Sequence, residues 1–237
     1  MPDPKAVYSM FGRIARRYDL ANRVLSCGID IHWRSRLVAA VGRSRPRNVL
    51  DLATGSGDVA FATARGLHPS LRVFGLDFCE PMLERAEARK ARRLWLYSGV
   101  DFIHGDALEI PVPEASFDAV TMAFGLRNMA DRARCLSEIR RVLRPDGRLF
   151  ILEFSQPLRW VRPAYYFYLR HIVPVLAGIL TGDRRAYEYL GYTIGGFPDR
   201  DALSEELRKA GFGEVSSSAM TMGIVALHQA LRQSAVS

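Results

Sequence analysis

The chain has few cysteines, few lysines and no long apolar run, and each shortage excludes a class of protein. Cys27, Cys79 and Cys135 lie far apart and form no C-x-x-C pair, which argues against a disulfide framework and against a zinc site. The most hydrophobic run, 172–180, is far shorter than the roughly 20 residues that span a bilayer. The first residues are polar and charged, with no evident signal peptide. We therefore expect a cytoplasmic protein with no metal site.

Only three of the 33 basic residues are lysine, so arginine supplies nearly all of the positive charge. The formal net charge is +8. A basic surface favours anionic partners, either nucleic acid or an anionic membrane face. The arginines are scattered along the chain and no nucleic-acid-binding module is recognisable. We therefore predict no nucleic-acid partner. A basic protein that binds nucleic acid is the alternative to an enzyme that the charge leaves open.

The segment 49–58 (VLDLATGSGD) carries the strongest local signal in the chain. It is typical of a buried strand that ends in a carboxylate, turns through glycines and opens a helix. Glycine has no Cβ, so the backbone of such a turn can approach a nucleotide-like ligand closely. About twenty residues on, Asp77 ends a second apolar run, where a carboxylate is placed to accept hydrogen bonds from ribose hydroxyls. The two segments together predict a site for a nucleoside-containing cofactor.

Two kinds of cofactor are compatible with this turn. Gly55, Gly57 and Ala60 satisfy the loose dinucleotide pattern G-x-G-x-x-G/A. However, Asp51 and Asp58 place negative charge around the turn, which suits a ligand with sulfonium and ammonium groups better than a pyrophosphate. The few lysines form no Tyr-x-x-x-Lys pair of the kind found in nicotinamide enzymes. S-adenosylmethionine is therefore the predicted cofactor.

Two further strand ends carry polar or glycine residues. The run 100–104 is followed by Gly-Asp-Ala, in which Asp106 can accept from an adenine amine and the Ala107 N–H can donate to a ring nitrogen. The run 117–123 ends at Ala123. Because open α/β sheets bind ligands at the carboxyl ends of their parallel strands, these ends are expected to lie in one site.

The chain is expected to form a single domain of alternating strands and helices, hence an α/β fold with a mostly parallel sheet. Its expected parts are a helical N-terminal cap at 1–45, a cofactor-binding core at 46–154, a helical lid at 155–200, and a helix with a terminal hairpin at 201–237. The predicted strands are 49–53, 71–76, 100–104, 117–123, 148–154, 214–219 and 223–231. The predicted helices of the core are 57–66, 80–93 and 131–143. One more helix, capped by Asp199 or Asp201, is expected through Ala210, and Gly211 ends it.

Several blocks resemble the class I S-adenosylmethionine-dependent C-methyltransferases of ubiquinone and menaquinone biosynthesis. They are Tyr18-Asp19-x-x-Asn22-x-x-x-Ser26-x-Gly28, Trp33-Arg34, Phe124-Gly125-Leu126-Arg127-Asn128, Leu152-Glu153-Phe154-Ser155, Tyr187-x-Tyr189-Leu190, Phe197-Pro198 and Gly223-Ile224-Val225-Ala226-Leu227-His228. The blocks span nearly the whole chain, and the one around Arg127 is the most specific. The resemblance implies a Rossmann-like methyltransferase fold with a seven-stranded, mostly parallel sheet, a terminal antiparallel hairpin and an inserted lid.

The resemblance also implies cofactor positions beyond those read from the strand ends. Ser56 falls in the glycine turn, where the family usually has threonine, and Ala123 stands where it usually has serine. The complete set of expected cofactor-binding residues is Asp51, Gly55, Ser56, Gly57, Asp77, Asp106, Ala107 and Ala123.

The implied reaction is methylation of a ring carbon on a polyprenylated hydroquinone. An aromatic carbon becomes nucleophilic when the neighbouring phenol loses its proton, so a base or a phenolate-stabilising cation is needed. The candidate catalytic residues are Arg127, Asn128, Asp19, Tyr18 and His228. Four of them have a structural alternative: an ion pair for Arg127, a cap of the following turn for Asn128, a helix cap for Asp19, and a packed strand position for His228.

The segment 155–196 interleaves aromatic residues with arginines and is the expected place for the prenyl tail. We expect the protein to contact the inner face of the cytoplasmic membrane peripherally, and a homodimer is compatible with the sequence. A methyltransferase for another lipophilic molecule, or for another ring position of a naphthoquinone, stays open as the alternative enzyme. A non-catalytic scaffold is disfavoured because the cofactor motifs are intact.

Overall fold

The computed structural model describes residues 3–15, 17–68 and 70–233, and within them seven strands form one sheet in the order β3-β2-β1-β4-β5-β7-β6. The strands are β1 (Asn48–Leu52), β2 (Arg72–Asp77), β3 (Val100–His104), β4 (Phe117–Ala123), β5 (Leu143–Phe154), β6 (Phe212–Met220) and β7 (Val225–Arg232). The first five strands pair in parallel, whereas β7 is antiparallel to both β5 and β6. The predicted mixed sheet with its terminal antiparallel hairpin is confirmed.

Strand β1 lies at the centre of the parallel part, between β2 and β4. Val49 is in register with Val73 on one side and with Ala119 on the other. Its residues from Val49 to Leu52 are buried, as expected for a strand covered on both faces by helices. This placement brings the carboxyl ends of β1, β2 and β4 to the same edge of the sheet.

Helices cover both faces of the sheet and extend beyond its carboxyl edge. They are α1 (Pro4–Ile14), α2 (Tyr18–Leu25), α3 (Ile29–Arg43), α4 (Asp58–Gly66), α5 (Glu80–Ala91), α6 (Leu94–Tyr97), α7 (Arg132–Val142), α8 (Arg162–Phe167), α9 (Val173–Thr181), α10 (Arg184–Gly195) and α11 (Arg200–Lys209). A π-helical turn, Tyr168–Ile172, joins α8 to α9, and a 3₁₀ turn, Leu126–Asn128, follows β4.

Some predicted boundaries need correction. Strand β5 begins at Leu143 instead of residue 148, because Leu143 already pairs with Phe117 ahead of a register shift. The helix expected at 80–93 ends at Ala91, and the separate short helix α6 follows it. At α11, Asp199 is the N-cap and its carboxylate accepts from the Ala202 N–H at 2.9 Å, so Asp201 is not the cap.

The N-terminal helices and the lid helices pack together over the carboxyl edge of the sheet. Met10, Ile14 and Ala21 share one buried apolar cluster with lid residues that include Leu169 and Val173. Two segments far apart in the chain therefore form one roof over the strand ends. Over the described ranges, the structure contains no helix long and apolar enough to cross a bilayer.

Candidate active site

Two cavities meet above the strand ends. The strand-end cavity has a volume of about 1100 Å³, including the part open to solvent, and is lined by the ends of β1, β2 and β4, the loop after β3, and α1. The lid cavity, of about 1180 Å³ on the same measure, is lined by α1–α3, the lid and the 3₁₀ turn after β4. Within the described part of the chain, five residues line both: Phe11, Tyr18, Arg34, Phe124 and Asn128. A ligand in one cavity thus faces a ligand in the other across this junction.

The predicted glycine turn forms one wall of the strand-end cavity. Gly55 has a φ of +57°, and a Cβ there would lie 3.1 Å from the Met82 side chain. Gly57 has a φ of +84° and begins α4, and a Cβ on it would lie 2.7 Å from the ring of Phe61. Seven of the eight predicted cofactor positions line this cavity, whereas Gly57 lines neither of the two cavities described above and serves the turn itself.

Asp77 is held by the glycine turn and by the start of α5. Its carboxylate accepts from the Gly55 N–H at 2.7 Å and from the Cys79 N–H at 2.9 Å. Burial raises the pKa of Asp77, and the backbone N–H donors limit that rise. Each carboxylate oxygen keeps a second lone pair, so Asp77 can still accept from a diol at the cavity wall.

Asp51 is buried at the end of β1 between two hydroxyl groups. Thr121 donates to one carboxylate oxygen and Thr54 to the other, each at 2.7 Å. Burial raises the pKa of Asp51 to about 6, against the opposing effect of these two hydroxyls. The folded chain therefore holds a carboxylate here that costs stability when it is charged and has no cationic ligand.

This cost predicts a pH-dependent gain in stability for Asp51→Asn in the cofactor-free protein. The pKa of Asp51 is raised on folding from 3.8 to about 6. The contribution of Asp51 to the free energy of unfolding is therefore fully present below about pH 4 and is lost as the pH rises through 6. An asparagine avoids that loss, and we expect its advantage to grow between about pH 4 and 6 and to reach about 3 kcal/mol, since one pKa unit is 1.36 kcal/mol.

Denaturant unfolding of both proteins across this pH range measures the difference. A difference that stays constant with pH would contradict the assignment of the raised pKa to Asp51. The related change Asp118→Asn is the control, because Arg144 and two backbone N–H groups lower the pKa of Asp118 against the effect of burial. Its substitution is expected to lower stability, and to do so more strongly as the pH rises.

The far wall of the strand-end cavity contains Asp106, Ala107 and Ala123. Asp106 accepts from the Leu108 N–H at 2.8 Å, which fixes the turn after β3, and Ala107 is buried beside it. Ala123 ends β4, and the next residue, Phe124, has a φ of +59°. Left-handed backbone at a bulky residue is rare and strained, and such strain concentrates at functional sites. No pattern in the sequence indicates this conformation.

Asp19 lies in the first turn of α2, outside both cavities, and ties that helix to the glycine turn. One carboxylate oxygen accepts from the Ser56 hydroxyl at 2.6 Å, and the other accepts from Arg85 at 3.0 Å. Arg89 bonds the Ser56 carbonyl oxygen at 2.8 Å and the Asp58 carboxylate at 2.8 Å. The residue at the N-cap of α2 is Arg17, so the capping alternative for Asp19 is wrong.

Arg127 enters the lid cavity from the 3₁₀ turn and is itself buried. Its Nη1 donates to Glu153 Oε1 at 2.7 Å and to the Phe124 carbonyl oxygen at 2.6 Å. Glu153, at the end of β5, is 1% exposed. The ion pair considered for Arg127 is therefore present, and it holds the guanidinium against the cavity wall. Glu153 was part of the resemblance but was not predicted as a site residue.

The lid cavity is mostly apolar but contains polar atoms that lack partners. Among the described residues that line it, five have such a buried atom: Arg127 Nε, Asn128 Oδ1, and the hydroxyls of Tyr165, Tyr187 and Tyr189. Buried polar groups are normally hydrogen-bonded, and orphans call for a ligand or water. This set can both donate to and accept from a small ring that carries two oxygens.

Tyr18 and Asn128 lie at the junction of the two cavities, as do three residues that were not predicted as site residues. Burial raises the pKa of Tyr18, with nearby Arg127 opposing the rise, so the phenol stays neutral. The carboxylate cap of α7 is Asp131, which excludes Asn128 from that role. Phe11 and Arg34 were missed because their position depends on how α1 and α3 pack over the sheet. Phe124 follows β4 directly and was named only as part of the resemblance.

His228 is the one predicted catalytic residue that the structure places far into the packed fold. It is 1% exposed on β7, and its Nε2 lies 2.9 Å from the Arg200 carbonyl oxygen at the start of α11. Burial lowers the pKa of His228. Of the two cavities described above, it lines neither, so the structure does not bring it to the other candidates.

The charges of the strand-end cavity select the kind of cofactor. Four carboxylates line it, those of Asp51, Asp58, Asp77 and Asp106. Asp58 is partly buried, and although desolvation raises its pKa, Arg34 and Arg89 hold that pKa below the usual range. Such a wall suits a cationic ligand with a nucleoside part and repels a pyrophosphate. The residues present therefore fit S-adenosylmethionine better than a dinucleotide.

Comparison with known proteins agrees with this geometry. The family model described as the ubiE/COQ5 methyltransferase family matches residues 2–232. A demethylmenaquinone methyltransferase of Thermotoga maritima is 46% identical over 214 residues, covering 90% of each chain. One of Thermus thermophilus is 43% identical over 220 residues, covering 92% of this chain and 98% of its own.

A solved S-adenosylmethionine-dependent methyltransferase of Thermotoga maritima, described as a possible histamine N-methyltransferase, has the same fold. Its TM-score is 0.68 at 18% identity, over 95% of this chain and 99% of that one. The fold, the two cavities and the match over nearly the whole chain lead to one conclusion: this chain belongs to the ubiE/COQ5 methyltransferase family.

Proposed function

We propose that this chain catalyses the S-adenosylmethionine-dependent C-methylation of a polyprenylated hydroquinone ring, with demethylmenaquinol as the acceptor. The main support for this proposal is the lid cavity. It is apolar, it contains polar atoms without hydrogen-bond partners, and it meets the strand-end cavity at five shared residues. The names of the two relatives support the choice of acceptor.

The strand-end cavity is the proposed cofactor site. Asp77 binds the ribose hydroxyls, Asp106 and Ala107 hold the adenine, and the carboxylates beside the glycine turn balance the positive charge. When bound, S-adenosylmethionine supplies an electrophilic methyl group on a sulfonium. Asp51 is then charged beside a cation, which offsets its desolvation.

The lid cavity is the proposed site of the quinol ring. We place the oxygen next to the reacting carbon at Arg127, whose guanidinium cannot act as a free base because it stays protonated. Arg127 instead stabilises the phenolate once the phenolic proton has passed to water, and this charge makes the adjacent carbon nucleophilic. That carbon would form the new bond to the methyl while the bond from the methyl to the sulfonium breaks, which would leave a neutral thioether. The carbon's own hydrogen then leaves as a proton to restore the aromatic ring.

Tyr18 and Asn128 orient the ring at the junction. A neutral Tyr18 hydroxyl donates to a quinol oxygen, and the orphaned Asn128 Oδ1 accepts from the second hydroxyl. Holding both partners in one geometry removes much of the entropic barrier to the transfer. The apolar remainder of the cavity accommodates the first part of the prenyl tail, and we also propose that the enzyme works in peripheral contact with the membrane that holds this substrate.

The reaction is tested with radiolabelled cofactor and two reduced acceptors, a demethylmenaquinol and a methoxy-polyprenyl-benzoquinol. Label is expected in the organic phase with the first acceptor. At cofactor concentrations that do not saturate the variant, it should be strongly reduced with Asp77→Asn. Label only in the benzoquinol would move the acceptor to the ubiquinone type. Label in neither, with cofactor binding intact by calorimetry, would exclude the quinol assignment.

A further inference from the structure

Helix α9 is apolar on two opposite sides. Val173, Pro174 and Ala177 face inward and are buried. Ile172, which precedes the helix, and Val175, Leu176 and Ile179 follow the spacing i, i+3, i+4, i+7 and are exposed. A helix that is hydrophobic all round is normally buried completely, so the outer stripe of α9 is a surface built to be covered.

Helix α2 extends this stripe. Arg17, at the start of α2, donates to the Leu180 carbonyl oxygen at the end of α9 at 3.0 Å. Tyr168, just before α9, donates to the Leu25 carbonyl oxygen at the end of α2 at 2.7 Å. The two helices therefore run antiparallel side by side over about 12 Å, the length of α2.

The exposed side chains of these two helices are here called the α2–α9 face. It consists of Leu20, Val24, Ile172, Val175, Leu176 and Ile179. Helix α9 is also a wall of the lid cavity, because the buried Val173 lines that cavity. One helix thus separates the exposed face from the proposed ring site.

Exposed apolar side chains are concentrated around the lid cavity in general. In the described part of the chain, 16 large hydrophobic residues are exposed, and 13 of them lie in the segments 1–45 and 155–200. Single exposed apolar residues need no explanation, whereas a concentration in the two segments that enclose one cavity marks an interaction site.

Positive charge is segregated in the same way. The segments 1–45 and 155–200 carry 15 arginines and lysines against six acidic residues, whereas the rest of the chain carries 18 against 19. All of the net positive charge therefore lies in the segments that bear the α2–α9 face. Two copies of such a face would repel each other, whereas an anionic bilayer attracts it by about 1 kcal/mol for each basic residue near the surface.

We infer that the α2–α9 face is the surface by which this enzyme inserts shallowly into a bilayer that contains anionic lipid. This deepens the proposed function, on which it rests for the lipid-borne substrate. The face places the lid cavity next to the acyl chains, so that a quinol can pass from the membrane into the cavity without crossing water. The exposed apolar stripe supplies the insertion and the arginines supply the attraction to the headgroups.

Flotation with two kinds of vesicle tests this inference, one of phosphatidylcholine and one of equal parts phosphatidylcholine and phosphatidylglycerol. The wild-type chain is expected to bind the anionic vesicles at least tenfold more strongly and to be released by high salt. The double variant Val175→Ser, Ile179→Ser removes two exposed apolar side chains, 48% and 75% exposed, that line neither cavity described above. Its binding to anionic vesicles is expected to fall about tenfold or more.

The matched control is Leu94→Ser, Trp95→Ser on α6. These residues are 59% and 82% exposed and lie outside both basic segments, so vesicle binding should stay within twofold of wild type. Equal losses in the two double variants would overturn the inference, and so would wild-type binding that is independent of anionic lipid. So would a wild-type dimer that the Val175→Ser, Ile179→Ser variant converts to monomers while vesicle binding is unchanged.

Activity assays separate this inference from the proposed function. With a water-soluble quinol that lacks a tail, all three proteins should transfer methyl groups equally. With a demethylmenaquinol embedded in anionic vesicles, only the α2–α9 variant should be slower. Lack of transfer to either acceptor by every protein would reject the proposed function, whereas equal rates on the embedded quinol would reject the docking surface.

Discussion

Methyl transfer is expected to slow by about 100- to 1000-fold when Arg127→Met is combined with Glu153→Gln, while cofactor affinity stays within twofold. Arg127 is the buried cation at the proposed phenolate, and removing one donor of this kind typically costs that factor in rate. Both partners are changed because Arg127→Met alone would leave the buried Glu153 carboxylate without its cation. Initial rates with saturating quinol, together with calorimetry for the cofactor, measure the two quantities.

Two further variants make the result specific. Arg132→Met removes a guanidinium five residues away that pairs with Glu206 in a half-exposed setting, and its rate should stay within twofold of wild type. Glu153→Gln alone keeps the cation but loosens its orientation, so an intermediate rate is expected. A double variant as fast as wild type would exclude Arg127 from the reaction, and one with a collapsed melting temperature would show a structural role instead.

Asp77→Asn is expected to weaken S-adenosylmethionine binding by about 100-fold or more. A hydrogen bond to a charged group contributes roughly 1.5–3 kcal/mol, and Asp77 is proposed to accept two from the ribose. The amide also cannot accept from both the Gly55 and Cys79 N–H groups, so the glycine turn loses one of its fixed contacts. Calorimetric titration gives the affinity, and the rate at saturating cofactor should recover most of its value.

The control for this change is Asp101→Asn on the neighbouring strand. Asp101 pairs with Arg72 at 2.6 Å and with Lys90 at 3.2 Å at the surface, away from the strand-end cavity. Its cofactor affinity should not change. If Asp77→Asn bound the cofactor as tightly as wild type, the strand-end cavity would have to hold another ligand, or to hold this one in a different orientation.

The sheet was predictable because its strands are short apolar runs separated by turn residues and helical segments. Strand β1 and its neighbours β2 and β4 are buried on both faces, so their sequences are nearly continuous in apolar residues. The early start of β5 was not predictable, because the register shift that lets Leu143 pair with Phe117 depends on the partner strand.

The cofactor side of the site was also predictable from the pattern of strands in the sequence. Its residues follow strands directly, and parallel strands bring their carboxyl ends together whatever the helices do. The substrate side was not predictable in this way. Phe11 reaches the junction only through the packing of α1 against a lid more than 100 residues away, and Arg34 only through the packing of α3 on the sheet. Glu153 likewise belongs to the site only because it pairs with Arg127, 26 residues earlier, and no local sequence pattern connects the two residues.

Asp19 connects the segment that roofs the strand-end cavity to the turn that forms its wall. Pro4 and Val7 of α1 lie over that cavity, and α2 is fastened to Ser56 through the Asp19 carboxylate. We expect a molecule bound beneath α1 to dissociate faster when the two N-terminal helices lift away from the glycine turn. The residence time of the spent cofactor would then depend on the opening of the contact between Asp19 and Ser56, and the pace of successive turnovers on the movement of α1 and α2.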